Sequence, residues 1–257
     1  MTTNEAALAP RPPYISPEEA QARLELAAVY RLCAHEGWDE LIYNHATIRV
    51  PGEDSFLVKP HGLRFTEVRA SNLIKLSWGR YQADQSESQH VNAAAYAIHT
   101  AVLKSRPDIN CTVHVHTPAG VAMSARKSKL LPLYQGAMQF YNRVSYHDFE
   151  GFASDEEESE RITRDLGPRN KAMILRNHGL LTGGVNGAEA LSLMRYLVQA
   201  CEVQLRIDAA GADYQLPPDS VCERNAAQWE LARLRNAPIE WAAQLRLLDA
   251  GDPSYRE

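Results

Sequence analysis

The run Ile109-Asn110-Cys111-Thr112-Val113 leads directly into His114-Val115-His116. A stretch of this composition reads as a β-strand. Side chains alternate faces along a strand, so two histidines two apart leave on the same side. A fold for this chain must therefore end a strand where two imidazoles stand together. They can share one metal ion, or they can be ordinary histidines on the wet face of a sheet. The pair alone does not decide.

The flanking pattern supplies the rest of an architecture. Residues 1–15 are polar and rich in Ala and Pro, and read as a flexible arm. Ser16-Pro17-Glu18-Glu19 is a helix start: Ser16 caps, Pro17 fits the first helical position and the acids suit the positive end of the dipole. That helix runs to about His35 and stops at Gly37. Residues 46–50 and 55–58 form a hairpin around Pro51-Gly52-Glu53-Asp54, and 73–78 a further strand. Helices follow at 89–104, 118–125 and 155–166. In the last of these the acid run Asp155 to Glu158 falls in the first turn, as a solvated face. Strands at 171–176 and 180–182 precede a long helix at 187–209 whose stripe of Leu191, Met194, Leu197, Val198 and Cys201 is core. Pro217-Pro218 marks a linker. Residues 217–257 form a C-terminal helical extension of one or two helices, with Trp229, Leu231, Leu234 and Trp241 seeking a partner surface. The fold class is α/β, a mostly antiparallel central sheet flanked by helices, in one domain over 16–216.

Composition excludes several function classes. The 257 residues are 45% hydrophobic with a net charge of −5, enough for a full core and without the basic block that nucleic acid or an anionic membrane requires. No segment reaches membrane-spanning length and none reads as a secretory leader. Cys33, Cys111, Cys201 and Cys222 are scattered and read as buried reduced thiols, which suits a cytoplasmic protein.

Three segments together carry a family resemblance. They are Arg106-Pro107-Asp108 with His114-Val115-His116-Thr117; Arg176-Asn177-His178-Gly179-Leu180-Leu181-Thr182; and Tyr43-Asn44-His45-Ala46-Thr47-Ile48-Arg49 with Pro60-His61-Gly62-Leu63. Taken in their order along the chain they resemble the class II aldolase/adducin family over about residues 20–210. Tyr146-His147-Asp148-Phe149-Glu150-Gly151 and Ala200-Cys201-Glu202 point to its bacterial adducin-like branch. The resemblance implies a single three-layer domain and one divalent metal ion on His114, His116 and His178. Zinc is the family's usual ion, with Fe2+ or Mn2+ the other possibilities. It further implies a homotetramer with its sites at subunit boundaries. Three neutral imidazoles leave an ion its full charge and an open position, which marks a catalytic rather than a structural site.

The chain also departs from the family pattern. Sugar-phosphate aldolases of the family carry Ser-Ser-Glu where this sequence has Ala93-Ala94-Ala95. Methyl groups neither move a proton nor grip a phosphate. Other groups must do that work. Tyr141 and Tyr146, within a cluster that includes His147, Asp148 and Glu150, are candidates for the proton carrier, or are core and interface residues. His99 is a further catalytic candidate, or a satisfied buried histidine. Asn44, His61 and Gly62 are candidates for the substrate's polar end, though Asn44 can cap a turn and Gly62 can serve a tight backbone.

Three functions fit. The first is a metal-dependent lyase that works through an enolate on a small oxygenated acid or carbonyl compound, by aldol or decarboxylase chemistry. The second is a non-heme Fe(II) oxygenase that decarboxylates a 2-oxo or 2-hydroxy acid, to which the absent glutamate is better suited. The third is a non-catalytic adducin-like protein, against which the three histidines stand. The partner in the first two is a small molecule. Because both serines and the glutamate are missing, Ala95→Glu alone is expected to produce no sugar-phosphate cleavage in a coupled aldolase assay.

Overall fold

A computed structural model describes residues 15–78, 91–151, 156–211 and 213–257. The expected arm at 1–15 falls almost wholly outside the described residues, as do the expected helix start at Gln89 and the acid at Asp155.

Helix α1 (Pro17–His35) begins as its sequence dictates, with Ser16 Oγ accepting from the Glu19 N–H at 3.1 Å, and it ends at Gly37, whose φ is +71°. Strands β1 (His45–Arg49) and β2 (Ser55–Val58) form the expected hairpin, with Thr47 opposite Val58, and β3 (Ile74–Ser77) extends it. Helix α2 (Ala93–Ser105) starts four residues after Gln89, because Asn92 caps it by accepting from the N–H groups of Ala94 and Ala95. Then come β4 (Cys111–Val115), α3 (Pro118–Ser124), β5 (Val144–His147), α4 (Glu156–Leu166), β6 (Ala172–Leu175), β7 (Gly179–Gly184), α5 (Gly187–Ala210) and α6 (Asp219–Gly251).

The strands make one seven-stranded sheet in the order β3-β2-β1-β4-β7-β6-β5. Every pair is antiparallel except β5 and β6, which run parallel with α4 as their crossover. Strand β5 is a correction to the sequence pattern. Val-Ser-Tyr-His alternates apolar and polar residues, but four residues are too short a run to mark a strand before it pairs with the buried β6. One face of the sheet presents Ile48, Val113, Val115, Ile174 and Leu180 to α1, α3 and α5. The other presents Met173, Leu175 and Leu181 to α2 and α4. The result is three layers, helix, sheet and helix, as the alternation of elements implies.

The C-terminal residues 219–251 form one helix rather than two, with Pro238 inside it. Leu234, whose carbonyl loses its partner there, is 71% exposed, so water can take the missing donor's place. Of the four residues expected to seek a surface, Trp229 and Trp241 find one within the chain. Trp229 packs on Tyr196 at 4.9 Å and donates to the Gln135 carbonyl, and Trp241 packs on the core. Leu231 and Leu234 remain exposed.

Tyr30 ties α1 to the hairpin. Its buried hydroxyl donates to the Ala46 carbonyl at 2.5 Å and accepts from the Ala46 N–H at 2.9 Å. Tyr30→Phe removes that hydroxyl and leaves backbone groups short of a partner. The expected loss is about 1–3 kcal/mol of unfolding free energy in urea titration, with the m-value unchanged.

Candidate metal centre

Strand pairing assembles the centre. Strands β4 and β7 lie side by side, with His114 opposite Leu181 and Val115 opposite Leu180. Strand β6 ends at Leu175, and a short turn through Asn177 in a left-handed conformation (φ 54°) brings the chain back into β7. His178 therefore lands beside the two histidines that end β4. The three ring centroids stand 4.7 Å apart in every pair. One nitrogen from each ring lies within 4.8 Å of the others. Two nitrogens sharing a tetrahedral zinc at about 2.0–2.1 Å would stand roughly 3.3 Å apart, so the cluster is of the right size.

Gly179 makes the approach possible. A Cβ there would lie 2.6 Å from the Val115 carbonyl oxygen and 2.9 Å from His116 Cδ2. The Gly that follows His178 is thus a packing requirement of the site itself.

The hydrogen bonds fix which nitrogens face inward. His114 Nδ1–H donates to the Leu180 carbonyl at 2.9 Å, leaving Nε2 as an acceptor. His116 directs Nδ1 at the Glu40 carboxylate at 2.6 Å. The two Nε2 atoms then face one another at 2.8 Å. Lone pairs that close repel unless a proton or a metal ion lies between them. A proton can serve two of the three nitrogens, whereas a metal ion serves all three. Outer hydrogen bonds of this kind, to a carbonyl and to a carboxylate, orient imidazole ligands and make them more basic. The donor set therefore fits a borderline divalent cation such as zinc.

Electrostatics agree. Burial, with His178 and His45 nearby, holds the His114 imidazole well below its usual pKa. Burial and the neighbouring His116 lower His178 to about 4. These two rings stay neutral at pH 7, the state a ligand needs. Behind them lies a polar chain. His45 packs on His114 at 4.9 Å between ring centroids and meets His99 Nε2 through its Nδ1 at 2.5 Å. His99 Nδ1 in turn meets the hydroxyls of Thr112 and Thr47, which are 2.6 Å from each other.

The candidates from sequence divide. His99 is fully buried in that chain and belongs to the layer behind the triad. Asn44 is buried too; its amide donates to the Trp38 carbonyl at 2.7 Å, while its Oδ1 has no partner among the described residues. His61 stands 6.0 Å from the exposed Tyr43 ring, and its Nδ1 likewise lacks a partner. Gly62 is exposed, and an added Cβ would meet nothing within 4 Å, so no tight backbone requires it. Tyr141 precedes the end of β5 remote from the triad, and its phenol bonds Asp219 at the start of α6. Tyr146 lies on the opposite face of β5 from His147. Its hydroxyl accepts from the Leu130 N–H, and the Arg176 guanidinium lies over its ring. Ala95 is buried at the start of α2.

Sequence reading passed over Glu40 and His45. Glu40 sits in a turn 76 residues before its histidine, and nothing in its neighbours marks it. His45 could have been found, because it alternates with Thr47 on a strand whose other face is apolar. Beside Glu40, Leu41 has a φ of 50°, a left-handed conformation that costs a non-glycine residue on the order of 1–2 kcal/mol.

Residues 24–205 match the model of the Class II Aldolase and Adducin N-terminal domain. The chain belongs to this family. A Pseudomonas aeruginosa protein named as an aldolase class 2 candidate is 40% identical over 95% of both chains. Mouse alpha-adducin is 46% identical over 199 residues, which are 76% of this chain and 27% of the adducin. Among solved structures, an aldolase II superfamily protein from Pseudomonas syringae superposes with a TM-score of 0.87 at 39% identity, covering 95% of this chain and 98% of that one. An L-fuculose 1-phosphate aldolase from Glaciozyma antarctica gives 0.79 at 28% identity, covering 97% of each. The class II aldolase fold is thus the fold of this chain. No described helix is long and apolar enough to cross a membrane.

The buried chain behind the triad has a consequence for pH. Burial lowers His99 to about 3, whereas in the unfolded chain it titrates near 6.5. The unfolded state takes the proton first, so stability is lost as pH falls below about 6.5. His99 contributes about 2 kcal/mol of loss between pH 7 and pH 5 by this linkage. Urea titrations at the two pH values should show His99→Gln losing less stability than the parent by about that amount.

Proposed function

We propose that this protein is a divalent-metal-dependent carbon–carbon lyase acting on a small oxygenated acid or carbonyl compound. The carrying observation is the facing pair of imidazole nitrogens on His114 and His116, 2.8 Å apart, with His178 closing the triangle. Both Nδ1 positions are committed to oxygen acceptors, so the free lone pairs converge on one point. When bound there, a divalent cation supplies Lewis-acid stabilisation of the negative charge that builds on a carbonyl oxygen as a neighbouring carbon–carbon bond breaks.

The residues have distinct tasks. His114, His116 and His178 hold the ion as neutral donors that leave its charge intact. Leu180 and Glu40 hold the rings in the tautomer that donation needs. Asn44 and His61 offer unpartnered polar atoms for the substrate's oxygenated end. Tyr141 stands beside Asp219, and a part for it in the reaction would require the homotetramer expected of the family. Tyr146 holds its loop through Leu130. The similarity to an L-fuculose 1-phosphate aldolase supports lyase chemistry, while Ala93, Ala94 and Ala95 argue for a substrate without its phosphate. The oxygenase alternative draws no support from the relatives. The adducin similarity keeps a non-catalytic role in view, and the same test addresses it.

Protein purified without chelator is expected to carry about one zinc, iron or manganese per chain by elemental analysis. His114→Ala, His116→Ala and His178→Ala each abolish it while the fold stays soluble. Glu40→Gln weakens metal affinity by about 10–100-fold, the usual effect of losing such an outer partner. Full metal content in all three alanine variants refutes the site. A loaded protein that cleaves none of a panel of hydroxyketones, 2-oxo acids and 2-hydroxy acids leaves the adducin-like reading standing.

A further inference from the structure

A lyase of this kind needs a group that moves a proton, and Ala95 occupies the position of the family glutamate. The structure offers another group beside the triad. His147 closes β5 and lies opposite Leu175, the last residue of β6. The Arg176 N–H donates to the His147 carbonyl at 2.8 Å, so His147 sits alongside the turn that delivers His178. Its side chain is 4% exposed. Its Nδ1 bonds Asp165 Oδ2 of α4 at 2.8 Å. Its Nε2 is buried and has no hydrogen-bond partner among the described residues. A buried imidazole nitrogen left without a partner costs free energy that a purely structural tie between β5 and α4 would not need.

His147 lines a cavity of about 10 Å3 together with Ile98, Phe149, Ile162, Arg176 and His178. Such a volume admits one water-sized group, the size of a hydroxyl. The arrangement has the parts of a general base: an imidazole, a carboxylate that fixes its tautomer, and an unpartnered nitrogen on a residue that shares a cavity with His178.

We propose that His147, oriented by Asp165, is the proton carrier of the metal centre. This rests on the lyase reading above. In retro-aldol cleavage, neutral His147 takes the proton of the substrate hydroxyl at Nε2. The O–H pair becomes the new carbonyl, and the pair of the breaking carbon–carbon bond moves into the enolate. The same proton then returns to the enolate carbon, whose electrons form the C–H bond, and His147 is neutral again. No outside oxidant or reductant is needed. Asp165 keeps its charge throughout and holds the Nδ1–H.

The test uses the zinc-loaded full chain with dihydroxyacetone as probe, following exchange of its α-protons in D2O by NMR. The expected result is exchange by the parent protein, slowed about 100-fold or more in His147→Gln, with zinc content unchanged. Asp165→Asn, at a partly exposed position, is expected to slow exchange less. In the metal-free protein, 15N spectra should assign His147 the Nδ1–H tautomer in the parent and a mixture in Asp165→Asn. Exchange at the parent rate in His147→Gln overturns the proposal and leaves the lyase reading intact. Zinc loss from His147→Gln matching that of His178→Ala also overturns it, by making His147 part of the ion's support. A parent protein that holds zinc and exchanges no probe protons defeats the lyase reading, and this proposal falls with it.

Discussion

The antiparallel pairing of β4 with β7 is the contact on which the rest depends. It sets the end of one strand against the start of the other, and so brings His114 and His116 within reach of His178. The approach is close enough that no side chain larger than hydrogen fits at position 179. The pairing is secured from both faces, because Val113, Val115 and Leu180 bury on one side and Leu181 on the other. A slip of one residue would turn every one of these side chains to the wrong face and separate the imidazoles. The hydrophobic core thus sets the geometry of a polar site.

Burial does a second job. It keeps His114, His178, His45 and His99 neutral, since a charged imidazole loses hydration that the interior does not replace. Neutral rings are good donors to a cation and poor partners for one another. In the polar chain through His45, His99, Thr47 and Thr112, both nitrogens of His99 and both hydroxyls have partners, which suits its burial. The triad is not satisfied in this way, and that contrast separates a structural cluster from a candidate centre.

Much of the fold was legible because it is local. Ser16-Pro17 started α1, the turn at 51–54 made the hairpin, and apolar spacing marked α5. The turn and strand patterns also placed β4, β6 and β7 within a residue or two. Strand β5 was not picked out, because its four alternating residues are too short a run to mark a strand without the parallel neighbour beside them. The sequence left one or two terminal helices open, and the structure has one: Pro238 usually ends a helix, but here water can replace the lost bond. The three histidines were legible through spacing and family resemblance together. Glu40 and the partnership of His147 with Asp165 were not, since each contact joins residues on different elements.

The sequence by itself determined the alternation of helices and strands, the composition of the core and the identity of the donor atoms, because these depend on the chemistry of neighbouring residues. Tertiary structure alone decided which nitrogens of His114 and His116 face inward, which carbonyl and carboxylate hold them there, and which nearby histidine keeps an unpartnered nitrogen. The physical reason is range. Propensity and periodicity act over a few residues, whereas a hydrogen bond between Glu40 and His116 exists only after the sheet has closed a separation of 76 positions.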